Sequence, residues 1–265
     1  MTCSTTWNPE DKDASYTLSE GNEAATKSGD AWKSLRATAP KDSGKIYFEV
    51  VLVIPSGQAF VGIALSTMGL GSYVGADAGG WGYYDTGNKY YNGVATGVDI
   101  GFVTGDIVQV AVDLDTGKVW FGRNNTWVDG GNPGEGTGES YQNDLIYEND
   151  IYIAGSSYYG GSILRLRACN RDQIYTPPTG FTAWTVVPFP KLSGIVKEKG
   201  VGVARTVRSY IRSTGALYDS TVSEANGAFE LKSPDDTTEM FVVALADDAG
   251  AQYNALVFDR VKGVE

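Results

Sequence analysis

The stretch GDIVQVAVDLDTGKVWFGRNNTW, Gly105–Trp127, decides the fold. Val108, Val110, Val112 and Leu114 fall on one face of an extended chain, and Gln109, Ala111, Asp113 and Asp115 on the other. That period of two is the mark of a half-buried strand. Asp115-Thr116-Gly117 supplies a turn, with glycine free to take positive φ, and Lys118–Gly122 returns as a second strand. The stretch is a β-hairpin with an acidic turn.

Asp113-x-Asp115-x-Gly117 has the outline of a calcium loop. A complete one needs a ligand at its fifth position, glycine at its sixth and glutamate at its twelfth. Counted from Asp113 these are Gly117, Lys118 and Asn124, and all three fail. The turn is therefore read as structural, with Asp115 bonding local backbone.

Strands with turn signals recur along the chain. Lys45–Ile54 places Ile46, Phe48, Val50, Leu52 and Ile54 on one face, and Ala59–Leu65 follows a Pro55-Ser56-Gly57 turn. A glycine- and tyrosine-rich section, GGWGYYDTGNKYYNG, spans Gly79–Gly93. After the hairpin comes DGGNPGEGTGES, Asp129–Ser140, which lacks apolar anchors and is expected to be exposed and mobile. Ile151–Ala154 and Ile163–Arg167 read as further strands. With 34 glycines, 9 prolines and 16 tyrosines in 265 residues, and no long helical pattern, the fold class is all-β.

Prolines 177, 178, 188 and 190 break the ladder and mark a boundary. The expected organisation is a β-sandwich over 1–187, a proline-containing linker over 188–191 and a small Ig-like β-sandwich over 192–265. Strands of the second sandwich are expected at Leu192–Val196, Ala204–Ile211, Leu217–Ser223, Phe229–Leu231, Met240–Ala246 and Ala255–Val261. The turns between them include Ser213-Thr214-Gly215, Glu224–Gly227 and Asp247–Gly250.

Several function classes fall away. The net charge is −11 with no cluster of Lys and Arg, so neither nucleic acid nor an anionic membrane surface is an expected partner. No histidine is present, which excludes Ser-His-Asp and Cys-His catalysis, HExxH zinc sites and histidine switching within this chain. GLGSYVG (Gly69–Gly75) lacks the strand-to-helix setting of a dinucleotide site, and no P-loop or GxSxG motif occurs. Cys3 and Cys169 form neither a zinc site nor a redox pair. A surface Cys3 and a buried Cys169 thiol are expected, in preference to a disulfide. The start, MTCSTTWNPEDKD, has no signal-peptide pattern, and MFVVALA (Met240–Ala246) is too short to span a bilayer. Synthesis in the cytoplasm without secretion or membrane insertion is expected, so the Asn124-Asn125-Thr126 glycosylation pattern carries no weight. No cofactor or metal is expected.

Residues 1–187 resemble a SPRY domain. The resemblance is carried by GKIYFEVVL, FVGIAL, GWGYYDTGNKYYNG, GDIVQVAVDLDTGKVWFGRN, IYIAGSSYYGGSILRLRACN and YTPPTGFTAW. It implies two curved antiparallel sheets and a binding surface built from loops at one end, which points to Tyr84, Asp85, Asn88, Trp127 and Tyr159. Tyrosine and tryptophan offer large, stiff contact area with a polar tip. About half of the loop-adjacent aromatics, Trp81 and Tyr83 among them, are expected to fill the core instead. Residues 192–265 resemble a carboxypeptidase-regulatory or transthyretin-like sandwich, on RSTGAL, SEANGAFEL and VVALADDAGAQYNALVFDRV. Together the two resemblances imply a non-enzymatic bacteriophage virion protein: a tail-fibre, tail-tip or decoration component. Its partners would be other tail, baseplate or capsid proteins and a bacterial surface glycan or protein receptor, and it would be multi-copy or homo-oligomeric in the particle. A dedicated receptor- or glycan-binding adhesin is the alternative, and a polysaccharide hydrolase stands behind both.

Overall fold

The computed structural model describes residues 3–54, 58–97, 99–234, 237–245 and 256–264. The turns expected at Pro55–Gly57 and Asp247–Gly250, and the strand ends at Ala246 and Ala255, lie outside the described residues. The chain forms two compact units, Thr2–Val186 and Val187–Glu265.

The first unit opens with β1 (Trp7–Lys12), β2 (Tyr16–Ser19), β3 (Ala24–Lys27) and β4 (Lys33–Ala37), in a region whose sequence shows little alternation. Next come β5 (Lys45–Ile54), β6 (Ala59–Ala64), β7 (Gly80–Tyr84), β8 (Lys89–Tyr91) and β9 (Val94–Thr96). The hairpin is β10 (Ile107–Asp113) and β11 (Lys118–Arg123), followed by β12 (Thr126–Trp127) and β13 (Tyr141–Gln142). A single helical turn, Asp144–Tyr147, precedes β14 (Tyr152–Ser157), β15 (Ile163–Arg167) and β16 (Thr182–Ala183). One sheet runs β1-β4-β14-β6-β7-β8-β9, and the other β12-β11-β10-β5-β15-β3-β2. β13 adds to β11, and β16 lies parallel to β5.

The core lies between the sheets, where Trp7, Leu35, Phe48, Val61, Trp81, Tyr83, Val110, Phe121 and Leu164 are all buried. Each large side chain of this kind contributes about 1.5–3 kcal/mol by leaving water. Trp81 and Tyr83 are core residues, and Tyr83 stacks on Phe121 with ring centroids 5.6 Å apart.

The hairpin pairs in the register its sequence implies, Val108 with Arg123 through Asp113 with Lys118. Its first strand is buried on both faces, though, not half-buried. Gln109, Ala111 and Asp113 are buried too: Phe181 packs edge-on to Trp120 at 6.0 Å and joins Tyr47 and Ala111 in a second apolar cluster, Gln109 bonds Tyr47 and Asn125, and Asp113 lies against Lys45. The acidic turn is structural. Asp113 Oδ1 accepts the Asp115 N–H at 3.1 Å and its other oxygen lies 3.4 Å from Lys45 Nζ. Asp115 reaches beyond the turn, accepting the Gly44 N–H at 2.8 Å, and so ties the hairpin to the start of β5.

Two expectations need correction. Cys3 and Cys169 are joined in a disulfide across 166 positions of sequence, so neither is a free thiol. Their Cα atoms are 5.8 Å apart, within bridging range, and sequence separation could not reveal that. The Asp129–Ser140 loop is largely exposed, as expected, but it is fastened to the sheet. It holds the short turn Pro133–Glu135 around a buried Pro133, the Trp120 Nε1–H donates to Thr137 O at 2.9 Å, and Lys118 Nζ donates to Gly136 O at 2.9 Å. Its anchors come from β11 and from two residues of its own, the buried Pro133 and Asp129, which pairs with Lys89.

The second unit consists of β17 (Lys191–Ile195), β18 (Lys197–Glu198), β19 (Val201–Gly202), β20 (Thr206–Ile211), β21 (Leu217–Val222), β22 (Ala228–Lys232), β23 (Met240–Ala244) and β24 (Leu256–Val261). Strands β21-β20-β23-β24 form one sheet, β17-β22 a second and β18-β19 a ribbon. Leu192, Val207, Phe229, Leu231, Met240 and Val242 make its core. Lys191, expected in the linker, is already paired in β17.

Candidate binding site

Alternation along β6, β7 and β14 sends one set of side chains to the core and the other to the outer face of the first sheet. Outward lie Phe60, Ala64, Tyr84 and Ala154, and a loop, residues 65–79, folds across them. Gly82 makes this possible: a Cβ there would sit 2.2 Å from Val74 O. The loop is fastened by Ser156 Oγ, which accepts the Val74 N–H at 3.1 Å, and by Arg36, whose Nη1 donates to Met68 O at 2.7 Å.

An aromatic shelf results. Phe60 is buried and stacks on Tyr84 at 4.5 Å and on Tyr73 at 4.8 Å. Trp32 stands edge-on to Phe60, Tyr73, Tyr84 and Tyr158 at 5.1–5.9 Å. Tyr90 meets Tyr84 and Tyr73 edge-on, and Tyr158 meets Tyr159 at 5.0 Å. Trp32, Tyr73, Tyr84, Tyr90 and Tyr158 are half-buried, and Tyr159 is 37% exposed.

Asp85 sits at the end of β7, beside this shelf. Its Oδ2 accepts the Gln58 N–H, while Oδ1 is shut from water and has no hydrogen-bond partner. Burial raises the Asp85 carboxyl above the usual carboxylate range, against the opposing pull of backbone N–H groups. Burial, with smaller contributions from Asp85, Tyr90 and Tyr159, pushes the Tyr84 hydroxyl up to about 12. Tyr84 is therefore a neutral hydroxyl throughout the physiological range. Asn88 closes the turn: its carbonyl accepts the Tyr84 N–H at 2.8 Å and its Nδ2 donates to Thr86 Oγ1 at 2.9 Å. The Tyr158–Gly160 loop is held by the Tyr158 N–H to Gln58 O at 3.0 Å and the Gly160 N–H to Asp30 Oδ1 at 2.9 Å.

Of the five residues named from sequence, Tyr84, Asp85 and Asn88 lie on one turn, and Tyr159 is close enough to Tyr84 to influence its ionisation. Trp127 belongs elsewhere, on the other sheet in β12, with its ring 6.4 Å from Tyr47. Trp32 and Tyr73 were not foreseen. Trp32 lies in the region of weak alternation, and Tyr73 in a segment read only as a failed glycine motif; an unpaired aromatic in each was the available signal.

A family model for the SPRY domain matches residues 45–132. Ran-binding protein 9 of Xenopus tropicalis is 30% identical over 129 residues, covering 44% of this chain and 24% of that protein. The ATP-dependent RNA helicase DDX1 of Xenopus laevis is 24% identical over 199 residues, covering 75% of this chain and 25% of that protein. The chain thus spans about a quarter of the length of these curated relatives. The SPRY domain of human HERC1 superposes with a TM-score of 0.52 at 18% identity, over 64% of this chain and 99% of that one. On the sheet order, the hairpin and these likenesses together, the chain contains a SPRY domain, a protein–protein interaction module.

Proposed function

We propose that the chain is a non-enzymatic binding protein that seats a segment of a protein partner on the aromatic shelf, with Tyr84, Asp85, Asn88 and Tyr159 in contact with it. The observation that carries this is the continuous cluster of rings, Phe60 stacked on Tyr73 and Tyr84 and flanked by Trp32, Tyr158 and Tyr159, which runs from a buried centre to an exposed edge. Asp85, at the end of β7 with its carboxyl held by the Gln58 N–H, fixes the turn that presents these rings. The rings meanwhile supply apolar contact with little side-chain entropy to lose. No histidine is available for catalysis, and none of these groups forms a nucleophile–base pair.

One relative's name, Ran-binding protein 9, describes that protein as a binder of Ran, and supports a binding role here. The virion setting, with its tail or capsid partners and bacterial receptor, rests on the resemblance of residues 192–265; the named relatives are Xenopus proteins and lend it no support. The test is selection of binding segments from a peptide library on the full chain, followed by affinity measurement. Tyr84→Ala and Tyr159→Ala are each expected to weaken binding by about tenfold or more. Unchanged affinity in both variants, with native circular dichroism, would refute the assignment.

A further inference from the structure

The Trp127 side chain, set apart from the shelf, belongs to a pocket of about 260 Å³ on the other sheet. Asn125, Trp127, Asn132, Glu135, Thr176 and Pro178 contribute to its lining. We propose that it is a second binding site, which takes an arginine or lysine side chain presented by a protein partner.

The walls are built. Asn124 and Asn125 both adopt left-handed backbone, φ 47° and 65°, and make the two-residue turn joining β11 to β12. The Asn125 N–H donates to Gln109 Oε1, which folds this turn back over β10. The opposite wall, around Thr176–Thr179, is held from below by Glu49, which is fully buried and accepts the Ile174 and Tyr175 N–H groups, each at 2.8 Å. One chain of hydrogen bonds links the two walls. Gln109 Nε2 donates to Tyr47 Oη, and the Tyr47 hydroxyl donates to Glu49 Oε1, each at 2.8 Å. Such a buried, connected network fixes geometry rather than merely filling space.

The indole is fixed as well. Gly122 has no side chain, and a Cβ there would lie 3.0 Å from Trp127 Cε3, so the ring lies against the β11 backbone. Tyr47 meets it edge-on.

Size and charge name the occupant. The volume falls below the roughly 300–1,000 Å³ of sites for drug-sized ligands, which leaves room for one long side chain. Glu135 is the charged residue of the lining; it is exposed and makes no ion pair among the described residues. Its backbone is set by the Pro133–Glu135 turn, whose N-cap Asn132 accepts the Glu135 N–H. A cation seated here meets a carboxylate and an aromatic ring together, the pairing that suits a guanidinium best. The net charge of −11 favours approach of a basic segment and disfavours an acidic one.

The test is a titration of the isotopically labelled full chain with Nα-acetyl-arginine amide, with Nα-acetyl-glutamine amide as the neutral control. The Trp127 indole N–H resonance, assigned through Trp127→Phe, is followed. A saturable shift with the arginine probe is expected, absent with the glutamine probe, severalfold weaker in Glu135→Gln and unaltered in Tyr84→Ala. No saturable shift, an equal response to the glutamine probe, unchanged affinity in Glu135→Gln, or loss of the response in Tyr84→Ala would each overturn the proposal.

Discussion

Replacing Cys3 by serine opens the Cys3–Cys169 bridge while altering one side chain at the start of the folded unit. In the chain-entropy description, a cross-link stabilises by removing conformations from the unfolded state, and the effect grows with the logarithm of the closed loop. For a separation of 166 residues it amounts to about 5 kcal/mol, an upper figure, since removal of native disulfides costs about 2–5 kcal/mol. The bridge also holds the segment leading to Trp7, a fully buried residue whose Nε1–H donates to Leu164 O at 3.1 Å. Urea unfolding of the oxidised wild type, the reduced wild type and Cys3→Ser, followed by tryptophan fluorescence, measures the effect. With a urea dependence of about 1–3 kcal/mol per molar, the midpoint is expected to fall by about 1 M or more in both bridge-free forms. Coincident midpoints for oxidised and reduced protein would refute the reasoning.

Other perturbations probe the remaining links. Gly82→Ala drives a Cβ into Val74 O, so thermal unfolding should show a loss of about 1–3 kcal/mol, with the shelf's partner binding weakened as Tyr73 is displaced. Glu49→Gln keeps one acceptor oxygen but sets an amide donor against a backbone N–H; a loss of about 1.5–3 kcal/mol is expected, with faster amide exchange at Ile174 and Tyr175. Asp85→Asn removes a carboxylate whose folded-state pKa is raised, a group that penalises the fold above that pKa and ceases to do so as pH falls towards the ordinary value. The variant should therefore melt higher than wild type near neutral pH, the difference should shrink towards about pH 4, and partner affinity should fall.

The hairpin was legible because its period of two survives in the structure, residue for residue, and its turn carries glycine where φ is +68°. What alternation could not show was the cover on the second face. Ala111 looks solvent-facing until Tyr47 and Phe181, distant in sequence, pack with it, and Gln109 until Tyr47 and Asn125 bond it. The same limit applies to the disulfide, whose two cysteines stand 166 positions apart. The candidate site was half legible. Tyr84, Asp85 and Asn88 share one turn and so appear together in sequence, while Trp32 and Tyr73 join them only through packing against Phe60. Trp127 was grouped with them by residue type and loop position, and sheet order separates it.

Amide hydrogen exchange of the full chain, with and without a segment selected for binding, tests the central claim most directly. Slowed exchange at Tyr84–Asn88 and Tyr158–Gly160 on binding is the expected result. Protection confined to the second unit, or to strands away from these two loops, with exchange at Tyr84–Asn88 unchanged, would contradict it.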